Sequence, residues 1–213
     1  MIETKQTISE VFNEDCMIGM ARYPDKWFDL AVVDPPYGIG NWVQVTGDLR
    51  RDANPVTWND ENHRPTPEYF KELERISKER IIWGANYYNC FEGGMGAIIW
   101  DKKNPNPKFS AAEIASYSKH KRVAMVEIPY FGFVGETKNF HPCAKPIQLY
   151  DWIYKNYLPQ GGKVIDTHLG SGSNRIAANK AGNIDFTGFE LDKDYYEAQE
   201  KRWKGFIAQT RLF

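Results

Sequence analysis

Twenty residues separate Gly170 from Glu190 in the stretch VIDTHLGSGSNRIAANKAGNIDFTGFELD, and that spacing limits the fold more than any other feature of the chain. An apolar strand, Lys163–Asp166, ends on Asp166. Gly170, Ser171 and Gly172 then form a tight turn. A helix is expected over Ser173–Ala181, Gly182 stops it, and a second strand, Phe186–Phe189, leads to Glu190. Glycines let a backbone approach a ligand closely, and a helix start presents unpaired N–H groups. An acid at the end of the second strand is where a βαβ unit grips ribose hydroxyls. The motif alone leaves open a glycine turn needed only to pack helix on strand.

The pattern also limits the ligand. A dinucleotide fingerprint needs a third glycine three residues after Gly172, where this chain has Arg175. A Gly-Lys-Ser/Thr ending is also missing, which excludes a P-loop. A nucleoside without a pyrophosphate fits better, and S-adenosylmethionine is the candidate.

A second motif, AVVDPPYGIG (Ala31–Gly40), drives an apolar strand into a carboxylate and then forbids its continuation with two prolines. Asp and Pro commonly end strands. Asp34, Pro35, Pro36 and Tyr37 together read instead as a rigid mount for a functional group.

Along the rest of the chain, Phe28–Val33 is a continuously apolar run, as in a parallel strand buried on both faces. A helix is expected over Pro67–Lys78, with Thr66 as its cap and Pro67 at its first position. Strands follow at Arg80–Gly84 and Gly96–Trp100, a short helix at Ser110–Ser118 and a strand at Arg122–Pro129. Then come helices at Pro146–Tyr157 and Lys193–Trp203 around the βαβ unit. Alternating strands and helices define an α/β class with a doubly wound, mostly parallel sheet in one domain, residues 1–213. The polar stretch 41–66 has no periodicity and is expected to be a functional or mobile loop.

The 213 residues, 42% hydrophobic, can bury a sizeable core. No run is long and apolar enough to span a membrane. Cys16, Cys90 and Cys143 are odd in number and far apart, which points to a reducing, cytoplasmic setting. The histidines (His63, His120, His141, His168) lack metal-ligand spacing. Net charge is −1, yet residues 102–145 carry 8 Lys/Arg against 3 Asp/Glu, including the run Lys119-His120-Lys121-Arg122. That run reads either as a polyanion-binding patch or as a solvated face.

Both motifs, in this order, resemble the permuted β group of DNA amino-methyltransferases, in which Asp-Pro-Pro-Tyr precedes the glycine turn. His141–Pro146 (HPCAKP) is similar to the family's His-Pro-Thr-Gln-Lys-Pro element, and Glu14–Met20 (EDCMIGM) to its Asp-Cys element beside the cofactor adenine. The segments IIWDKKN and FSAAEIA resemble those of compact phage and bacterial members. The resemblance implies a Rossmann-like methyltransferase fold using S-adenosyl-L-methionine. It places Asp15, Cys16, His141, Lys145, Asp166, His168, Gly170, Ser171, Gly172, Ser173, Glu190 and Leu191 around the cofactor, and Asp34-Pro35-Pro36-Tyr37 at the reacting base. DNA is the implied partner, with the 41–66 loop mobile or facing it and no room for a large separate target-recognition domain, and a homodimer is compatible with the same likeness. Thr167-His168 and Ser173-Asn174 depart from the family's Pro-Phe and Thr-Thr.

An exocyclic amine is a poor nucleophile while its lone pair is delocalised into the ring. Asp34 accepting one N–H and the Pro35 carbonyl the other would favour a tetrahedral, reactive nitrogen, and Tyr37 would stack on the base. Asp rather than Ser before the prolines leans toward adenine N6. The alternatives are cytosine N4, an RNA substrate, an inactive cofactor-binding DNA-associated subunit and a nicotinamide oxidoreductase. The last leaves the prolines unexplained.

Overall fold

The computed structural model describes residues 7–39, 41–45, 55–59, 64–91, 94–104, 110–130, 141 and 144–210, with the backbone alone for 41–45, 55–59 and 210. His63 and Cys143 lie outside the described residues, as does much of the expected 41–66 loop. The described parts of that loop, β3 (Asn41–Val45) and β4 (Pro55–Asn59), pair antiparallel as a separate two-stranded sheet.

The main sheet has eight strands: β1 (Ser9–Phe12), β2 (Phe28–Val33), β5 (Ser77–Trp83), β6 (Gly96–Asp101), β7 (Ala112–Tyr117), β8 (Val123–Glu127), β9 (Gly162–Asp166) and β10 (Ile184–Phe189). Their spatial order is β1-β10-β9-β2-β5-β7-β6-β8. All run parallel except β7, which is antiparallel to both neighbours. The helices are α1 (Cys16–Met20), α2 (Pro67–Ile76), α3 (Ile147–Tyr157), α4 (Ser173–Ala181) and α5 (Lys193–Thr210).

The apolar run of β2 feeds both faces of the sheet. Leu30 and Val32 pack with Ile81, Trp83, Leu149, Ile153 and Ala177 under α3 and α4. Ala31 and Val33 pack with Leu73, Ile76, Ile165 and Phe189 under α1 and α2. Gly172 and Gly182, both at φ +74°, bracket α4 at the expected residues. Thr66 and Pro67 open α2 as expected, though the Thr66 side chain makes no capping bond. Helix α5 continues to Thr210, past the expected end at Trp203.

One expected element is of another kind. Ser110–Ser118 is not a helix: its residues 112–117 form β7. Alanine favours helix, but this segment lies between β5 and β6, with Ala115, Ser116 and Tyr117 buried, and tertiary context overrides propensity. The short strand β1 was not expected. It pairs with β10 from Ser9↔Phe186 to Phe12↔Phe189.

The chain order switches direction at β9 and β2. From β9 it proceeds outward through α4 to β10, and from β2 it proceeds the other way through α2 to β5. Such a switch opens a crevice at the carboxyl ends of the strands, where α/β sheets bind ligands. β2 and β9 are direct neighbours, with Leu30 opposite Val164 and Ala31 opposite Ile165, so Asp34 and Asp166 emerge on the same rim. Because β7 is reversed, its first residues reach that rim too: Glu113 lies opposite Trp100 near the end of β6. The basic run Lys119–Arg122 follows the other end of β7 and sits at the opposite rim, where Lys119 pairs with Glu79 at 2.5 Å. It therefore does not border the crevice, and the solvated-face reading fits its position.

Candidate active site

The strand-ending motif is held from below. Tyr88 donates its hydroxyl to the carbonyls of Pro35 (2.9 Å) and Pro36 (2.6 Å). Tyr37 turns back so that its hydroxyl donates to Asp34 Oδ1 at 2.7 Å. Its ring stacks on Tyr87, with centroids 4.9 Å apart, and lies against Gly84. Gly84 has φ +70°, and a Cβ there would come within 2.2 Å of Tyr37 Cε1. Gly84→Ala is therefore expected to displace Tyr37 and strain the backbone, lowering stability by about 1–3 kcal/mol, as thermal melting would measure.

Asp34 Oδ2 is hydrogen-bonded by Lys145 Nζ, whose side chain is only 3% exposed. The same ammonium lies 3.0 Å from Glu113 Oε2 and 3.2 Å from Tyr37 Oη. Glu113 is paired in turn with Lys102. Four charges thus alternate in a row: Asp34, Lys145, Glu113, Lys102. Burial raises the pKa of Asp34, with Lys145 opposing and Glu113 adding to the rise. Burial acts the same way on Glu113, but Lys145 and Lys102 outweigh it and bring that carboxyl to about 2. Burial disfavours the Lys145 ammonium, and its two carboxylates more than restore it, so it stays charged. Tyr37 is pushed well above the ordinary phenol range by burial and by Asp34, and remains a donor.

The second group on the rim begins at Asp166. Its Oδ1 accepts from the His168 N–H at 3.1 Å and its Oδ2 from Asn174 Nδ2 at 2.9 Å. Burial raises this carboxyl to about 7. Asn174, in the first turn of α4, also donates Nδ2 to the Val32 carbonyl at 3.1 Å and shares a hydrogen bond with the Tyr154 hydroxyl at Oδ1. The partners fix the orientation of the amide, since the reverse would set its oxygen against a carbonyl and a carboxylate. One carboxamide thereby ties β2 to β9. Asn174→Ala strands several buried polar groups and is expected to cost about 1–3 kcal/mol, measured by denaturant unfolding.

Glu190 is buried. Its Oε2 accepts the Gly170 N–H at 2.8 Å and its Oε1 the Asp192 N–H at 3.0 Å. Gly170 has φ +52°, and a Cβ there would meet His141 Nε2 at 2.5 Å, so the His141 ring lies on the glycine turn. Arg202 of α5 holds the turn from outside, donating to the Ser171 carbonyl (2.8 Å) and to Ser173 Oγ (3.0 Å). Ser171 and Ser173 hydroxyls are 3.1 Å apart. Asp15 caps α1 through the Met17 N–H at 2.7 Å, and burial pushes the Cys16 thiol beside it to about 12. Leu191 is exposed. Tyr69 and His168 both hydrogen-bond Thr167 Oγ1, at 2.6 and 2.9 Å. Burial lowers His168 to about 4, and burial together with Lys145 does the same for His141.

The structure thus brings the residues read from the two motifs to one rim, in two groups. Lys145, expected at the cofactor, hydrogen-bonds Asp34 and pairs with Glu113. Sequence reasoning gave no role to Glu113, Lys102, Asn174 or Arg202. Lys102 and Glu113 lie in IIWDKKN and FSAAEIA, segments whose likeness to compact enzymes was the available signal.

A mostly parallel α/β sheet with a glycine turn and a carboxylate-bearing turn on adjacent strand tips defines a Rossmann-like methyltransferase fold. The N6/N4 methyltransferase family model, described as DNA methylase, matches residues 83–201, and the chain belongs to that family. It is 20% identical to the type II methyltransferase M2.MboI of Moraxella bovis, over 91% of this chain and 86% of that one. The crystal structure of the M1.HpyAVI–SAM complex superposes with a TM-score of 0.61 at 16% identity, covering 92% of this chain and 100% of that one. The cytosine-N4-specific PvuII DNA methyltransferase superposes with a TM-score of 0.58 at 14% identity, covering 92% and 87%. Among the described residues no helix is long and apolar enough to cross a membrane.

Proposed function

We propose that this protein transfers a methyl group from S-adenosyl-L-methionine to the exocyclic N6 amine of adenine in DNA. The observation that carries this reading is the Asp34 carboxylate, held one strand away from the Gly170–Gly172 turn on the same rim.

The residues present fit the cofactor. Side chains at Gly170 and Gly172 would fill the cradle, meeting His141 and Gln199. Each Glu190 oxygen accepts one backbone N–H and keeps a lone pair for a ribose hydroxyl. Asp15, Cys16 and Leu191 would border the adenine, while Asp166, His141, His168, Ser171 and Ser173 line the remainder. When bound, the cofactor supplies an electrophilic methyl group.

The rest falls to this chain's own groups. Asp34 accepts one N–H of the target amine. The Pro35 carbonyl, whose Tyr88 bond uses one lone pair, accepts the other. These two acceptors favour a tetrahedral nitrogen. Tyr37 stacks on the base, contributing roughly 1–3 kcal/mol, which offsets much of the few kcal/mol needed to swing the nucleotide out of a duplex. Positioning provides most of the acceleration, on the order of 7–11 kcal/mol. The amine becomes strongly acidic only once methylated, so its proton leaves afterwards, toward Asp34. The β3–β4 hairpin follows directly on the Tyr37 turn and faces the DNA in this reading.

Incubating the protein with methyl-labelled cofactor and mixed-sequence DNA, then digesting to nucleosides, tests the reading. The expected product is N6-methyldeoxyadenosine. N4-methyldeoxycytidine would overturn the adenine assignment, and no labelled nucleoside would overturn the enzymatic one.

A further inference from the structure

The four alternating charges come from four separate segments of sequence. Asp34 belongs to the proline motif, Lys145 to HPCAKP, Glu113 to FSAAEIA and Lys102 to IIWDKKN. Only the first has a part in the chemistry described above. We propose that Glu113 is a positioning residue for Asp34: it shares the Lys145 ammonium between two carboxylates, so that Asp34 stays charged yet keeps its strength as an acceptor. This rests on the reading of Asp34 as the acceptor of the target amine.

The physical argument starts from what Asp34 would do alone. A carboxyl buried beside apolar side chains protonates, and a protonated carboxyl is a poor acceptor. Lys145 prevents that. An ammonium committed wholly to Asp34 creates the opposite fault, because a close ion pair draws away the electron density that the amine needs. Glu113, 3.0 Å from the same nitrogen, competes for it. Lys102 balances the second carboxylate, so the row carries no net charge and is tolerated in the interior. Tyr37 reports the same geometry: its hydroxyl lies 2.7 Å from Asp34 Oδ1 and 3.3 Å from Glu113 Oε2. The groups acting on Asp34 are therefore Tyr37 of its own turn, Lys145 before α3, Tyr150 within α3, Glu113 of β7 and, across the rim, Asp166 of β9.

The two neighbours act with opposite sign. Removing the Lys145 charge leaves Asp34 beside an unshared Glu113, so its proton is held to higher pH. Removing the Glu113 charge gives Lys145 wholly to Asp34 and removes a repulsion, so its proton is lost at lower pH. The experiment is the pH dependence of kcat/KM for DNA in the wild type, Lys145→Met, Glu113→Gln and Glu113→Asp, with cofactor binding titrated for each. Lys145→Met is expected to move the acid limb up by about half a pH unit or more, and Glu113→Gln to move it down by a similar amount. Glu113→Gln should also lower the plateau about tenfold, with partial recovery in Glu113→Asp and cofactor affinity within about twofold of wild type. A merely structural role would lower the rate without moving the limb, and limbs that stay put or move together overturn the proposal. If Glu113→Gln does not fold, Lys102→Met reads the row from its other end. It leaves Glu113 to draw Lys145 from Asp34, so the limb should move up, and an unmoved limb overturns the proposal equally. Asp34→Asn separates the two readings. Transfer that survives that change sinks the role of Asp34, whereas loss of transfer with immobile limbs sinks only the role of Glu113.

Discussion

Asp34→Asn is expected to lower methyl transfer by about three orders of magnitude or more while cofactor affinity stays within about twofold. Asn has nearly the same shape, so the turn, the Tyr37 ring and the Pro35 carbonyl keep their places. What changes is the pairing. The Lys145 ammonium, shared between Asp34 and Glu113, loses one of its two anions, and the amide N–H₂ group must face either that ammonium or the Tyr37 hydroxyl. The target amine then meets a weaker acceptor, or a donor. Loss of a charge-assisted hydrogen bond at a buried site, together with a misdirected donor, amounts to roughly 4 kcal/mol in the barrier. Labelled-methyl transfer under single-turnover conditions measures the first quantity and calorimetric titration the second. A parallel loss of both would make Asp34 a structural residue of the crevice.

Gly170→Ala is expected to do the reverse. The residue has φ +52°, where a side chain is strained by about 1 kcal/mol or more, and the new methyl carbon would stand 2.5 Å from His141 Nε2. Relief requires the turn or the His141 ring to move, and either motion disturbs the Gly170 N–H bond to Glu190. The apparent dissociation constant for S-adenosylmethionine should rise about tenfold or more, while kcat at saturating cofactor falls by less than that. An unchanged dissociation constant would place the cofactor elsewhere on the rim.

The two changes thus separate the two halves of the crevice, and the sequence separated them as well. Strand ends that carry chemistry are written locally: Asp34 follows an uninterrupted apolar run, and Gly172 and Gly182 sit at the positions of positive φ that begin and end α4. These signals depend on near neighbours in sequence and survive folding unchanged. β7 was not written locally. Its Ala-Glu-Ile-Ala composition favours a helix, and only its place between β5 and β6 makes it a strand. Misreading it hid two further facts. One is that Glu113, carried on a reversed strand, reaches the rim that carries Asp34. The other is that the basic run after Tyr117 is delivered to the far side. Lys145 shows the same limit. Its neighbour His141 lies on the glycine turn, but its ammonium reaches Asp34, 111 positions away in the chain.

Asn174 ties the Val32 carbonyl to the Asp166 carboxylate across the switch between the two half-sheets. In the proposed reading, the gap a travelling methyl must cross is thus gauged by the pairing of β2 with β9 together with one side chain rooted in the helix that follows the glycine turn. Donor and acceptor halves then have no independent adjustment. Reshaping the first turn of α4 to admit a bulkier sulfonium analogue would shift the amine-binding turn as well, so engineered cofactor selectivity should come with an altered choice of target base.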